Sequence, residues 1–217
     1  MIANGRIRRS LLFWSLGLFD DVSLYAGGNS LRKYFNFEVD AKLFHIMLQK
    51  TIKYATDRHQ KVNHKYGDKP YTFHLNMVYG VAQKFSYLLP ESEIENVYCG
   101  CWVHDIIEDA RETYNDVLHN TNKTVAELAY ALTNEKGRTR AERANDTYYQ
   151  GIRETPNATF VKLCDRIANV THSKEEGSSM LDKYRIENPE FIKKLYRPEL
   201  QDMVAYLEDL LLDKSSI

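Results

Sequence analysis

The chain has 217 residues, of which 43% are hydrophobic and 27% are charged, a composition typical of a folded globular protein rather than a disordered one. Its 29 Lys and Arg nearly balance its 30 Asp and Glu, so the net charge of −1 does not indicate a binder of nucleic acid or of membrane surfaces. The three Cys fit neither a disulfide framework nor a zinc site, so we expect reduced thiols and a cytoplasmic location.

Residues 1–38 are predicted to form an N-terminal extension. Three arginines precede a nine-residue apolar run that begins at Leu11, in the manner of a signal peptide. That run is shorter than the roughly 20 apolar residues that a membrane-spanning helix needs, and no clear cleavage site follows it. We therefore expect neither a membrane anchor nor export, and we place the folded domain at residues 39–217.

From Val39 onward, apolar residues recur at helical spacing and no stretch shows sustained alternation. This pattern predicts an all-α fold, a compact bundle of roughly seven to nine helices with lengths typical of globular proteins. A capping box of Thr124 with Glu127 is expected to open one of them. After a first helix that includes residues 43–55 and a loop at 64–71, helices are predicted at 74–89, 92–109, 124–133, 139–153, 157–171, 179–194 and 198–213.

The segment CWVHDIIEDA places His104, Asp105, Glu108 and Asp109 in apolar surroundings. At about 100° per residue, the four polar side chains share one arc of a helix and the apolar ones share the opposite arc. An amphipathic helix with a solvated acidic face is one interpretation. However, this arc carries no Lys or Arg, and adjacent His and Asp side chains recur as metal ligands. A metal site is the second interpretation.

Two further segments place a His or an Asp within apolar runs. His74 begins one predicted helix, and Asp165 lies within the run Phe160 to Val170. A lone His is more often a core residue, and a buried Asp needs a partner, for which Arg166 or a helix cap is the structural candidate and a metal ion the functional one. Three such segments together favour a metal site.

The order His74, His104-Asp105, Asp165 resembles the H…HD…D signature of the HD-domain metal-dependent phosphohydrolases. HDIIEDA resembles the HDxxED motif of the (p)ppGpp hydrolase domains of RelA/SpoT-type proteins and of small stand-alone alarmone hydrolases. VKLCDRIANV is similar to their VKLADKLxNL stretch, and YATDRHQ with KPYTFH is similar to their first motif. The resemblance covers about residues 40–172, with Leu75 where the family usually has Pro.

The resemblance implies that His74, His104, Asp105 and Asp165 bind one divalent metal ion. Mixed nitrogen and oxygen ligands suit Mn²⁺, although the ligand types do not exclude Fe²⁺, Co²⁺, Ni²⁺ or Zn²⁺. Glu108 and Asp109 are expected to orient or deprotonate a water molecule, or else to hold the ligands by hydrogen bonds.

The resemblance also implies a substrate, guanosine 3′,5′-bis(diphosphate) (ppGpp), cleaved to GDP and pyrophosphate. A basic cluster can hold its phosphates or can be solvated charge, and Tyr71 can stack on its base. Expected contacts with the substrate are Arg58, Lys162, Asn169 and Arg140, with Arg138 and Arg143 in the same cluster as Arg140. An HD phosphohydrolase acting on NADPH, a nucleoside monophosphate or a cyclic nucleotide, and a non-catalytic nucleotide-binding protein, stay open as alternatives. The expected partner is a small nucleotide rather than nucleic acid or membrane, and the sequence leaves the oligomeric state open.

Overall fold

Helices account for most of the chain in the computed structural model, which describes residues 46–212. The proposed extension at 1–38 and its boundary lie outside the described residues. Helix α1 covers 46–61. The helices that follow are α2 (Thr72–Lys84), α3 (Ile94–Val103), α4 (Ile106–Asp109), α5 (Tyr114–Asn120), α6 (Lys123–Leu132), α7 (Arg140–Arg143), α8 (Asp146–Glu154), α9 (Ala158–Glu175), α10 (Met180–Leu195) and α11 (Gln201–Leu211).

The predicted all-α class is confirmed. Within the described part, nine of the helices have seven or more residues, in agreement with the predicted number. The predicted loop at 64–71 contains a small antiparallel hairpin of β1 (Lys65–Tyr66) and β2 (Lys69–Pro70). Gly67 in its turn has a φ of +64°, a conformation that glycine adopts without steric cost.

Several local predictions were wrong. The helix predicted at 74–89 ends at Lys84, and a short 3-10 helix, Ser86–Leu88, follows it. The helix predicted at 92–109 is interrupted between α3 and α4, because Asp105 leaves the helical conformation with φ −106° and ψ 3°. The helix predicted at 139–153 is divided into α7 and α8, because the Asn145 side chain accepts a hydrogen bond from the Tyr148 backbone N–H and starts a new helix there. Thr124 does not cap α6; Asn122 does, by accepting from the Val125 backbone N–H.

Helix α9 is the central element of the described domain. It packs against α2, α3, α10 and α11, and its large side chains Phe160, Leu163 and Ile167 are buried. The apolar stripe of α11 is covered within the same domain, since Met203, Leu207 and their apolar neighbours on that face are buried. None of the described helices is both long and apolar enough to cross a membrane.

The packing of α2, α3 and α9 on one another sets the place of the polar residues inside this bundle. Gly100 lies where α3 approaches α6 closely, and a Cβ atom there would come within 2.8 Å of Leu128 Cδ1. The absence of a side chain at this position lets α3 lie deep in the domain, so that its C-terminal end reaches α2 and α9.

Candidate metal centre and its cavity

Four side chains predicted as metal ligands meet where α2, the end of α3 and α9 come together. Ligand atoms of His74, His104 and Asp165 lie within 4.8 Å of one another. Asp105 Oδ2 lies 2.8 Å from His104 Nε2 and 3.9 Å from His74 Nε2. Both imidazoles are almost fully buried. The structure therefore brings together all four residues that were predicted to bind the metal ion.

The interruption between α3 and α4 determines how His104 and Asp105 face the centre. Adjacent residues of a continuous helix point about 100° apart. Because Asp105 adopts non-helical backbone angles, its carboxylate instead comes within hydrogen-bonding distance of the His104 ring. The arcs predicted from the sequence assumed a continuous helix and therefore did not predict this contact between Asp105 and His104.

The His104 ring shows that this donor set fits a cation. Its Nδ1 lies 2.9 Å from the carbonyl oxygen of Cys101, which can only accept, so Nδ1 carries the proton and donates. In the neutral ring Nε2 then has a lone pair, and this buried atom makes no hydrogen bond to any described residue. A lone pair 2.8 Å from a carboxylate oxygen requires a proton or a cation between the two atoms.

The charges of the centre support the same interpretation. Burial alone lowers the pKa of His104, but the carboxylates of Asp105 and Asp165 reverse this effect and raise the pKa to about 9. Burial raises the pKa of both carboxylates, but His104 holds that of Asp105 below its usual range, and Lys162 does the same for Asp165. A metal ion would therefore displace a proton from His104, as metal binding to a histidine generally does.

Neighbouring side chains hold the two carboxylates. The buried Tyr71 hydroxyl donates a hydrogen bond to Asp105 Oδ2, and the ring lines the cavity, so that stacking of Tyr71 on a base stays a prediction. Lys162 Nζ donates to Asp165 Oδ2 at 2.9 Å, whereas Arg166, the expected structural partner of Asp165, pairs with Glu187 at 3.0 Å.

Asn169 helps to fix the α9 side of the centre. Its Nδ2 donates to the Asp165 backbone carbonyl at 3.0 Å and also to the Asp165 carboxylate, and its Oδ1 accepts from the Tyr66 hydroxyl at 2.7 Å. Asn169 was predicted as a substrate contact, and it also orients Asp165 in this structure.

A cavity of about 600 Å³ opens beside the centre. His74, Asp105 and Asp165 line one side of it. Its other walls carry cations, carboxylates and aromatic side chains. The cations are Lys162, Arg140, Arg143, Arg166 and Lys194; the carboxylates are Glu108, Asp109, Glu187 and Glu190; the aromatic residues are Tyr71, Tyr148, Tyr149, Tyr184 and Phe191.

Glu108 and Asp109 both line this cavity. The Glu108 carboxylate accepts hydrogen bonds from Asn134 Nδ2 at 3.0 and 3.1 Å, and from the Asn134 backbone N–H at 3.3 Å. Asp109 has 36% of its side chain exposed. Even so, partial burial, together with the charges of Asp105 and Glu108, raises its pKa to about 7.

The predicted substrate contacts divide into two groups. Arg140 and Lys162 line the cavity, but Arg140 Nε is paired with Glu187 Oε1 at 2.9 Å. Arg58 is paired with Glu112 at 3.4 Å and, like Arg138, is not among the described residues that line this cavity.

The sequence reasoning missed several residues of the cavity, among them Lys194 and Glu187. Both lie on α10, beyond the segments that resemble the family, and no local pattern distinguishes them. A second cavity of about 620 Å³ adjoins the first and shares Asn169 and Tyr184 with it. The hairpin residues 66–69 and His172 also line this second cavity.

The helical bundle, its buried His/Asp centre and the charged cavity beside it can be compared with known proteins. No protein-family model matches the chain. A curated zebrafish (Danio rerio) protein, guanosine-3′,5′-bis(diphosphate) 3′-pyrophosphohydrolase MESH1, is 27% identical over 124 residues, which are 57% of this chain and 67% of that protein.

The fold also has a solved counterpart. A metazoan ortholog of SpoT, described as hydrolysing ppGpp and acting in starvation responses, aligns with a TM-score of 0.61 at 18% identity. The alignment covers 76% of this chain and 93% of that one. Together, the sequence similarity and the shared fold confirm the resemblance to HD-domain ppGpp hydrolases that the motifs indicated.

Proposed function

We propose that this chain is a metal-dependent phosphohydrolase that removes the 3′ pyrophosphate from ppGpp and leaves GDP. The observation that carries the proposal is the buried His104 Nε2, which has no hydrogen-bond partner among the described residues and lies 2.8 Å from Asp105 Oδ2 within the group of predicted ligands. The substrate is supported by the similarity to MESH1, named for this reaction, and to the SpoT ortholog described as hydrolysing ppGpp.

We assign one divalent ion to His74, His104, Asp105 and Asp165. Mixed nitrogen and oxygen ligands make Mn²⁺ the first expectation. When bound, such an ion would neutralise negative charge on phosphoryl oxygens and would lower the pKa of a water molecule bound to it. The chain itself orients the ligands, through the Cys101 carbonyl on His104 and through Tyr71 and Lys162 on the carboxylates.

Glu108 and Asp109 are the proposed groups that handle the attacking water. The raised pKa of Asp109 suits a group that accepts a proton near neutral pH, although a cation nearby would lower this pKa. The hydrogen bonds from Asn134 fix the direction of the Glu108 carboxylate, which suits a group that orients water.

The cations of the cavity are the proposed phosphate contacts. Lys162, Arg140 and Arg143 lie on the same cavity as the centre, together with Arg166, so a chain of phosphates can extend from the centre along this wall. A volume of about 600 Å³ suits a small organic ligand. Tyr184, shared by both cavities, is an aromatic surface for the base.

We also propose a cytoplasmic location and a nucleotide partner, without nucleic acid or membrane. The free and buried thiols of Cys99, Cys101 and Cys164 suit a reducing compartment. The near-zero net charge supports the absence of a polyanionic partner.

The test is turnover by the metal-reconstituted protein of ppGpp beside NADPH, nucleoside monophosphates and cyclic nucleotides, with the products separated by anion-exchange chromatography. We expect GDP and pyrophosphate from ppGpp, activity lost in EDTA and restored by Mn²⁺. Glu108→Gln should lower kcat by about 10²–10⁴ while metal binding is retained. Asp57→Asn, which changes an exposed carboxylate of α1, is the matched control.

Other outcomes of the same test favour the alternatives. Orthophosphate from NADPH or from a monophosphate, with ppGpp intact, would assign the chain to another class of HD phosphohydrolase. Stoichiometric metal retained by the Asp105→Ala, Asp165→Ala double variant would disprove the ligand set. Nucleotide binding without turnover under every metal would favour a non-catalytic binding protein.

A further inference from the structure

Two histidines outside the candidate metal centre lie side by side, and one of them, His64, lies near Asp109. His59 is on α1, and His64 immediately precedes β1. Backbone hydrogen bonds fix the position of His64, since its N–H donates to the His59 carbonyl at 3.0 Å and its carbonyl accepts from the Tyr71 N–H at 3.2 Å. These bonds hold the backbone of residue 64 close to the end of α1.

The contact between the two rings determines which nitrogen of His64 carries a proton. The two Nδ1 atoms are 3.0 Å apart, so one of them donates and the other accepts. If His64 donated, the proton of His59 would be on Nε2, a buried atom without a hydrogen-bond partner among the described residues. Buried N–H groups without partners are rarer than buried acceptors without partners. His59 therefore donates from Nδ1, and neutral His64 carries its proton on Nε2.

The proton on His64 Nε2 faces a carboxylate. Nε2 lies 3.9 Å from Asp109 Oδ2. The His64 ring is stacked on Tyr71, with ring centroids 3.7 Å apart and planes inclined by 17°, which restricts rotation of the imidazole. Hydrogen bonds between catalytic groups are often long before substrate binds, so a small movement of Asp109 suffices to form this one.

We propose that His59 and His64 form a positioning pair, in which His59 fixes the Nε2–H form of His64 and this N–H orients the Asp109 carboxylate. The inference rests on the proposed role of Asp109 in handling water. One carboxylate oxygen is held by His64, and the other is left to face the cavity. The two histidines touch neither water nor substrate in this scheme and act only through Asp109.

The first test observes the rings and needs no turnover. In ¹⁵N–¹H NMR spectra of the Zn²⁺-loaded protein, we expect His64 to be protonated on Nε2 and His59 on Nδ1. His59→Phe should abolish the preference of His64 for this form. Asp109→Asn should shift the His64 Nε2–H resonance, whereas the exposed His119→Phe should leave it unchanged. A proton on His64 Nδ1, or an Nε2–H resonance indifferent to Asp109→Asn, would overturn the inference.

The second test separates positioning from a structural role. His64→Phe keeps an aromatic ring on Tyr71 but removes the donor. We expect kcat for ppGpp to fall about tenfold, the effect of one hydrogen bond to a charged group, with KM within about twofold. His64→Gln, which has an amide N–H, should recover part of the loss, and His119→Phe should have no effect. Equal kcat values for the wild type and His64→Phe would refute the positioning role of His59 and His64. If the wild type does not hydrolyse ppGpp, the proposed function fails and the NMR result alone decides the inference.

Discussion

Replacing Lys162 with Met removes the cation that faces Asp165 and keeps an unbranched side chain of similar length. Lys162 Nζ lies 2.9 Å from Asp165 Oδ2, and the two side chains are only 18% and 13% exposed. Burial alone lowers the pKa of Lys162, but the carboxylate of Asp165 raises it well above its usual value, so the ammonium stays charged. The variant leaves Asp165 without its main positive partner.

The expected loss in the free energy of unfolding follows from the burial of the Lys162–Asp165 pair. Removing one partner of a buried ion pair typically costs about 3–5 kcal/mol. We expect the lower end, about 3 kcal/mol, because both side chains border the cavity and His74 Nε2 also lies 3.3 Å from Asp165. In a chain of this size, that loss lowers the melting temperature by about 6–12 °C. A divalent ion bound at the centre returns positive charge to Asp165, so the loss should shrink when metal is present.

Thermal unfolding is followed by circular dichroism of the helices, once in EDTA and once in excess Mn²⁺. It measures the loss of stability in the variant and the reduction of that loss by metal. Lys53→Met is the matched control, because Lys53 pairs with Asp57 at 2.6 Å on α1 while their side chains are 76% and 54% exposed. An exposed helical pair of this kind contributes about 0.3–0.5 kcal/mol. Equal losses for the two variants in EDTA, or a Lys162→Met loss that metal does not reduce, would refute this reasoning.

Two further predictions concern the wall of the cavity that Arg140, Arg166 and Glu187 form, which we call the far wall. Burial raises the pKa of Glu187, but Arg166 and Arg140 reverse this effect and lower it below its usual 4.5, so its stabilising effect is present above about pH 4.5 and is lost as the pH falls. The wild type should therefore unfold at a higher temperature than Glu187→Gln at neutral pH, and the difference should vanish in acid; a constant difference would contradict this. Gly137→Ala places a Cβ 2.7 Å from Glu142 Cβ and 3.0 Å from the Arg143 backbone nitrogen, so α7 must shift. KM for ppGpp should rise more than kcat falls, and an unchanged KM would argue against phosphate contacts from α7.

The helices and the candidate ligands could be predicted from the sequence because both depend on local patterns. Apolar residues at helical spacing determine which face is buried. A His or an Asp on such a face has to find a partner, and three such segments in one chain pointed to a shared partner. Helical geometry could also have predicted the partner of Asp165. Lys162 lies three residues earlier on the same face of the helix, whereas Arg166 points about 100° away.

The far wall could not be predicted in the same way. Arg140 lies on α7, Arg166 on α9 and Glu187 on α10, and their ion pairs exist only because these helices pack together. Periodicity places a residue on a face of its own helix but carries no information about which other helix that face meets. The pairing of His59 with His64 is similar, since it depends on the chain reversal after α1, where Asn63 has a φ of +52°.

The interruption at Asp105 shows why a short segment can supply two candidate ligands and two further carboxylates. In a continuous helix His104 and Asp105 would diverge by about 100°, and only one of them would face α2 and α9. The interruption brings the two side chains within 2.8 Å of each other. It costs little backbone hydrogen bonding, because the Asp109 N–H still donates to the Asp105 carbonyl at 2.8 Å. That bond starts α4, which carries Glu108 and Asp109 to the same cavity. The local departure from helical geometry, and not the helical pattern around it, therefore brings to this site the groups that we propose for hydrolysis.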